Sequence, residues 1–319
     1  MSRFPDADMD DRWILSRRSS KNPVDIQEPF AFLAEEERSA SGSIEQVLTV
    51  FLTNKECPFR CLMCDLWKNT SEEKSQVGVI PHQIVRALEQ LPSSRYIKLY
   101  NSGNFFDTKA IPPEDYEKIA ALLDPFDTVI VECHPKLINE KCLEFRDMLR
   151  GNLEIAIGLE TAHPEVLQKL NKRMDLNEFR QSVKFLADND IRKRAFTLLQ
   201  PPFLTQSEGV FWSKRTLDFA YDVGVECCVV IPTRTGNGAM DWLQSQGFFS
   251  TPSIASLEQV MAYGLQLNAG RIFADLWDLD LFSDCPLCFQ ARKTRLEDMN
   301  TQQVVLPEII CECSIPGSA

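Results

Sequence analysis

Val47-Leu48-Thr49-Val50-Phe51-Leu52, then Thr53-Asn54-Lys55-Glu56, then Cys57-Pro58-Phe59-Arg60-Cys61-Leu62-Met63-Cys64 is the stretch that decides how this chain folds. The apolar, β-branched run reads as a buried strand, and the cysteines stand on the loop just beyond it. Three thiolates at CxxxCxxC spacing can each ligate one iron of a [4Fe–4S] cube and leave the fourth iron without a protein ligand. Zinc usually draws its ligands from two separated knuckles, and this triplet has no fourth ligand nearby. Plain buried cysteines are the remaining reading, since a disulfide framework would need a secreted context and none is visible.

Outward from this loop, short apolar runs alternate with amphipathic stretches, the pattern of successive βα units on a parallel sheet. Strands are expected over 46–52, 96–100, 128–133, 154–159, 194–199 and 226–231. Helices are expected over 81–90, 113–123, 140–149, 177–188, 207–223 and 256–267. Asp175 before Leu176-Asn177-Glu178, and Ser207 before Glu208, are helix-start signals. Six units predict an α/β fold, a partial (β/α)6 TIM-like barrel, because the chain after Asn268 lacks two further units. The expected division is an N-terminal extension (1–42), a barrel core (43–275) and a small Cys-containing C-terminal segment (276–319). The extension, with Glu35-Glu36-Glu37, reads as a polar stretch that packs across the core or stays mobile.

The chain has 319 residues, 44% of them apolar, a globular balance with no apolar run near the length of a membrane span. Acidic residues near the N-terminus argue against export, so a cytoplasmic protein with no membrane partner is expected. Eleven cysteines in such a reducing compartment fit metal or cluster ligation better than disulfides. A net charge of −12 argues against binding nucleic acid through a broadly basic surface. The dense basic clusters, Arg192-Lys193-Arg194 and Arg292-Lys293-Thr294-Arg295, read either as solvated faces or as phosphate sites.

In parallel sheets of this kind ligands bind where the βα loops gather, at the C-terminal ends of the strands. Those loops carry Cys57 to Cys64, Asn101 to Asp107, Cys133-His134-Pro135, Glu160 to Pro164, Gln200 to Phe203 and Pro232 to Gly238. With these residues in place the chain resembles the radical S-adenosylmethionine (SAM) superfamily over about residues 43 to 275. Tyr100-Asn101-Ser102-Gly103-Asn104-Phe105-Phe106-Asp107, Ile157-Gly158-Leu159-Glu160-Thr161, Asn171-Lys172 and Pro201-Pro202-Phe203-Leu204-Thr205 are similar to the radical subunit of archaeosine synthase. More distantly the chain looks like the Elongator catalytic subunit group.

The resemblance implies an enzyme that cleaves SAM reductively with a [4Fe–4S] cluster to a 5′-deoxyadenosyl radical. It implies Cys57, Cys61 and Cys64 as cluster ligands and Ser102-Gly103-Asn104 as the segment that holds the methionine amino group. Glu160 matches a residue that contacts the ribose or methionine part. Met63 stands where an aromatic residue usually covers the adenine, a task a thioether can perform. The implied substrate is a modified, deazaguanine-like nucleoside in transfer RNA, processed by C–N cleavage. The implied partners are an electron donor such as flavodoxin or ferredoxin and a tRNA-modifying enzyme. A small-molecule biosynthetic radical enzyme and a non-catalytic metal-binding scaffold are the alternatives.

Cys285-Pro286-Leu287-Cys288 and, 22 residues on, Cys311-Glu312-Cys313 supply a second set of four thiolates. That number suits a structural zinc or an auxiliary Fe–S cluster, the alternative being buried thiols without metal. Among the three histidines, His82 reads as a helix-start residue. His134 and His163 follow strand ends and are candidate proton-exchanging groups.

Overall fold

The structure is a computed structural model that describes residues 3–283, 285–311 and 313. One eight-stranded sheet runs in sequential order and curls into a half barrel. Its strands are β1 (Ala31–Arg38), β2 (Ile44–Phe51), β3 (Tyr96–Tyr100), β4 (Thr128–Cys133), β5 (Asn152–Glu160), β6 (Arg192–Leu199), β7 (Cys227–Pro232) and β8 (Arg271–Ala274). β1 is antiparallel to β2, and every later neighbour pair is parallel. The strands from β2 to β7 are the six expected units of the partial barrel.

The helices are α1 (Asp11–Arg17), α2 (Val79–Leu88), α3 (Tyr116–Leu122), α4 (Glu140–Met148), α5 (Pro164–Lys169), α6 (Leu176–Asp188), α7 (Gln206–Asp222), α8 (Ala239–Ser245), α9 (Ile254–Leu267) and α10 (Pro286–Gln302). Asp175 and Glu178 form a reciprocal capping box on α6, as Thr205 and Glu208 do on α7. The cap of α7 is therefore Thr205, and Ser207 lies inside the helix.

Alternation along the strands explains the two faces of the sheet. Leu48, Val50, Ile97, Leu99, Val129, Val131, Ile155 and Ile157 pack into the main buried cluster with Ile80, Ile84, Phe145 and Val183 of the helices. Phe105 and Phe106 from the β3 loop join Tyr116 and Phe145 there, with ring centroids 4.8 to 6.3 Å apart. Both phenylalanines are thus core, and truncating either to alanine costs about 3–5 kcal/mol.

The opposite strand face carries charge at one level. Arg194 reaches Glu37 at 2.5 Å and Glu154 at 2.6 Å, Lys98 reaches Glu37 at 2.7 Å, and Arg271 reaches Glu154 at 3.0 Å. Burial opposes ionisation of Glu37, but Arg194 and Lys98 hold its carboxyl far below the usual range. Arg271 also donates to the Arg38 carbonyl at 3.3 Å, so the two edge strands approach each other.

Two strands lie beyond the expected units. Ala31–Arg38 adds the antiparallel edge through a continuous register from Ala31↔Phe51 to Arg38↔Ile44. Arg271–Ala274 extends the other edge, and α10 completes its hydrogen bonding. Asn300 and Gln303 each accept from and donate to the backbone of Ala274 and Ile272, at 2.6 to 2.9 Å. No helix among the described residues is long and apolar enough to cross a membrane.

The candidate cofactor site at the strand ends

Cys57, Cys61 and Cys64 lie on the loop that leaves β2, and no disulfide joins any of the described cysteines. The loop is clamped from several elements. Leu62 N–H donates to the Leu170 carbonyl at 2.9 Å, after α5. Asn237, from the loop after β7, donates to the carbonyls of Leu62 at 2.8 Å and Cys64 at 3.1 Å, while its own Oδ1 accepts from Met240 N–H. Asn171 donates to the Arg60 carbonyl at 2.8 Å.

The N-terminal stretch straps this loop down. Glu56 receives Arg18 and Lys21, each at 2.6 Å, and Arg60 at 3.1 Å. Trp13 packs edge-on against Trp242 at 5.2 Å, and Met9 and Ile14 are buried in the smaller apolar cluster with Leu62. Gly238 lies under the strap at φ +83°, where a Cβ would fall 1.9 Å from the Arg17 carbonyl oxygen. Only glycine fits there.

Around the thiols the loops supply polar contacts. Asn104 Nδ2 donates to Cys57 Sγ at 3.1 Å, and Asn104 Oδ1 accepts from the backbone of His134. A Cβ on Gly103 would sit 3.1 Å from the Cys57 Cβ, so the β3 loop is pressed against the cysteine loop and a side chain there would push on Cys57 itself. Glu132 Oε1 holds this loop by accepting from Asn101 N–H at 2.6 Å and Gly103 N–H at 3.1 Å. Burial raises the Glu132 carboxyl to about 7 against those hydrogen bonds. Asn101 Oδ1 is buried without a partner, an acceptor set beside the cysteine loop.

Lys172 is the cation of the site. It pairs with Glu160 at 2.5 Å, and both side chains are buried. Burial opposes its charge, but Glu160 and the thiols of Cys61 and Cys57 hold it above the ordinary lysine range. A Cβ on Gly158 would meet Lys172 Nζ at 2.2 Å and Glu160 Oε1 at 2.4 Å, so this glycine makes the room for the pair. Ser102, Glu160 and Gln200 all hold positive φ, between +53° and +68°, at the ends of β3, β5 and β6. Unusual backbone therefore gathers at one end of the sheet.

Burial pushes the thiols of Cys57, Cys61 and Cys64 up to about 12, and each lies in the electrostatic field of another. Three half-buried thiols on one loop, with a hydrogen-bond donor on one and a lysine nearby, fit an iron–sulfur cluster, whose metal charge would stabilise the thiolates. Met63 is half-buried against the smaller apolar cluster.

The two candidate histidines are engaged in the scaffold. His134 stacks on Phe59 at 3.7 Å; Lys136 N–H donates to its Nδ1 and its Nε2–H donates to the Lys172 carbonyl at 2.9 Å. Both ring nitrogens are thus used in positioning Lys172 and the loop. Burial, reinforced by the Lys172 charge, lowers its pKa to about 3. His163 caps α5 through Nδ1, and its Nε2 faces Arg3 at 3.5 Å.

The expected consequence for His134 is a pH signature. Its folded pKa lies below the unfolded value, so the unfolded chain binds the extra proton between about pH 6.5 and 3. Stability therefore falls as pH drops through that window, by up to about 1.4 kcal/mol per unit. Urea unfolding of a cluster-free background with and without His134→Asn isolates this slope; equal slopes would mean His134 charges freely in the folded state.

Gly158→Ala is expected to separate Lys172 from Glu160 without touching the cysteines. For the SAM site that the sequence resemblance implies, affinity should fall about tenfold or more with the iron content unchanged, as the loss of a charged contact predicts. Unchanged binding in a titration of the reconstituted protein would remove the pair from the site.

A search against protein-family models finds no match. The chain is 25% identical over 324 aligned positions to the uncharacterized protein MJ0550 of Methanocaldococcus jannaschii, covering 94% of this chain and 87% of that protein. Its fold matches the N-terminally truncated Elp3 of Methanocaldococcus infernus with a TM-score of 0.50 and 13% identity, over 60% of this chain and 51% of that one. SuiB of Streptococcus suis matches with a TM-score of 0.50 and 11% identity, over 76% of this chain and 50% of that one. This chain thus spans about half the length of each solved structure. At these identities the likeness is one of fold, and this chain shares that fold with both structures.

Proposed function

We propose that this chain is a radical SAM enzyme. The observation that carries the reading is the grouping of Cys57, Cys61 and Cys64 at the C-terminal ends of the strands, with Asn104 on Cys57 and Lys172 beside the thiols. When bound, the cluster would supply the electron that cleaves SAM to the hydrogen-abstracting 5′-deoxyadenosyl radical.

The protein's own residues then have separable tasks. The three cysteines would hold three irons, and Lys172 would offset the negative charge that gathers there. Ser102, Gly103 and Asn104 would bring backbone and amide groups close to the amino-acid portion of SAM, with Asn101 Oδ1 as a free acceptor. Glu160 would orient Lys172, and Met63 would cover the adenine. His163 would serve at the edge of the site, and His134 as a neutral positioning residue. A cytoplasmic setting and a flavodoxin or ferredoxin as reductant belong to the same proposal.

For the substrate we infer a planar, nucleobase-like ring. Phe51, Tyr100, Phe196 and Trp277 form an aromatic row with centroids 6.0 to 6.2 Å apart, near the ends of β2 and β3, and Trp277 is exposed. Such faces suit a heterocycle. The resemblance to the archaeosine synthase radical subunit specifies a deazaguanine-like nucleoside in transfer RNA and a tRNA-modifying partner. A free small molecule is favoured by a different observation: four of the clustered basic side chains are turned onto carboxylates of the protein. Arg194 is buried on Glu37 and Glu154, Lys193 pairs with Glu226, and Arg292 and Arg295 pair with Glu258.

Anaerobic incubation of the reconstituted protein with dithionite and SAM tests the enzyme reading. Release of 5′-deoxyadenosine supports it; its absence from protein with a full cluster returns the chain to a metal-binding scaffold. Mass spectrometry of transfer RNA nucleosides and of small metabolites from a deletion strain then separates the two substrate readings.

A further inference from the structure

Cys285 caps the start of α10, Cys288 lies one turn in, and Cys311 and Cys313 return to them from the end of the described chain. All four Sγ atoms lie within 4.8 Å of one another, with Cys285 to Cys311 at 3.9 Å and Cys288 to Cys313 at 3.5 Å. The spacing is itself informative. Thiolates about 2.3 Å from one tetrahedral ion stand about 3.8 Å apart. Thiolates on separate irons of a cube stand about 6.5 Å apart, and a disulfide would bring two sulfurs to about 2.05 Å.

We propose that Cys285, Cys288, Cys311 and Cys313 hold a single tetrahedral divalent ion of the zinc class, separate from the cluster of the barrel. Neighbouring groups are placed to support it. Arg292 Nε donates to Cys288 Sγ at 3.2 Å, and its guanidinium is anchored on Glu258 of α9, which also takes Arg295 at 2.9 Å. A tetrathiolate centre carries net negative charge, and this buried arginine offsets it.

The segment also needs such a staple. Leu287 and Ile310 are almost fully exposed, and residues 305–311 have no regular secondary structure. Arg295 bonds to the carbonyls of Leu306 and Pro307, yet little apolar surface is buried there. A metal closes such a segment where a core cannot. Its functional consequence is local. Cys285 ends the β8–α10 loop, which carries Trp277 beside Phe51 and is tied to the β7 loop through Arg234, at 2.9 Å from Asp278 and 3.4 Å from Asp275. The ion would therefore fix one wall of the proposed substrate entrance.

Metal and sulfide analysis of the full chain carrying alanine at positions 57, 61 and 64 reads this site alone, without SAM or turnover. About one zinc per chain and no acid-labile sulfide is the expected result. Cys285→Ser with Cys288→Ser should lose that zinc and speed amide exchange beyond about residue 276 while the barrel keeps its protection. Cobalt exchange into the wild-type site, giving the intense visible bands of a tetrahedral tetrathiolate, keeps the proposal testable if the serine variant does not fold. Iron with sulfide in the alanine variant, no metal at all, or zinc retained in the serine variant would each overturn it.

Discussion

Replacing Cys57, Cys61 and Cys64 together by alanine is expected to remove about four iron and four sulfide per chain and to abolish SAM cleavage, while the sheet stays folded. The physical ground is the independence of the loop's anchors from its sulfurs. Leu62 to Leu170, Asn237 to Leu62 and Cys64, and Asn171 to Arg60 are contacts to backbone, and Glu56 gathers Arg18, Lys21 and Arg60 outside the cysteine side chains. Alanine keeps every one of them. The three thiols are only half-buried, so the melting temperature of the variant should lie close to that of the apoprotein. Iron and sulfide assays, circular dichroism and 5′-deoxyadenosine release read the three consequences separately. A variant that still cleaves SAM would refute the assignment of these cysteines.

The βα succession was legible because each strand from β2 to β7 is a buried run between polar loops. β1 and β8 were not, for opposite reasons. Ala31–Arg38 carries Glu35-Glu36-Glu37, which reads as a solvated run; in the fold Glu37 turns inward and meets Arg194, a partner 157 positions away that no local pattern announces. Arg271–Ala274 is too short to show a period and owes its backbone pairing on one side to Asn300 and Gln303. The cysteine loop was legible from spacing alone. Its supports were not: Lys172 follows Asn171 at φ +51° and meets Glu160 only because Gly158 leaves space. Gly158, inside β5 two residues before Glu160, was a usable signal, since glycine inside a strand marks a close approach.

Arg192-Lys193-Arg194 illustrates the same limit with a larger energy. As a sequence it is a basic cluster; in β6 Arg194 is buried on Glu37 and Glu154, while Arg192, two residues earlier on the same strand face, sits at the N-terminal end of the strand, the end opposite the cysteine loop. Arg194→Met is expected to destabilise the protein by about 3–5 kcal/mol, because two buried carboxylates lose their principal cation. Adding Glu37→Gln should recover only part of that loss, since one uncompensated carboxylate goes while Lys98 keeps Glu35 and Arg271 keeps Glu154. Arg192→Ser, with no buried carboxylate depending on it, should change stability by no more than about 0.5 kcal/mol. Urea unfolding of the four proteins distinguishes a buried floor from a surface patch. If Arg194→Met melts like wild type, Arg194 is available to solvent, the cluster recovers its value as a phosphate site, and the weight moves from a free small molecule toward a substrate carried on RNA.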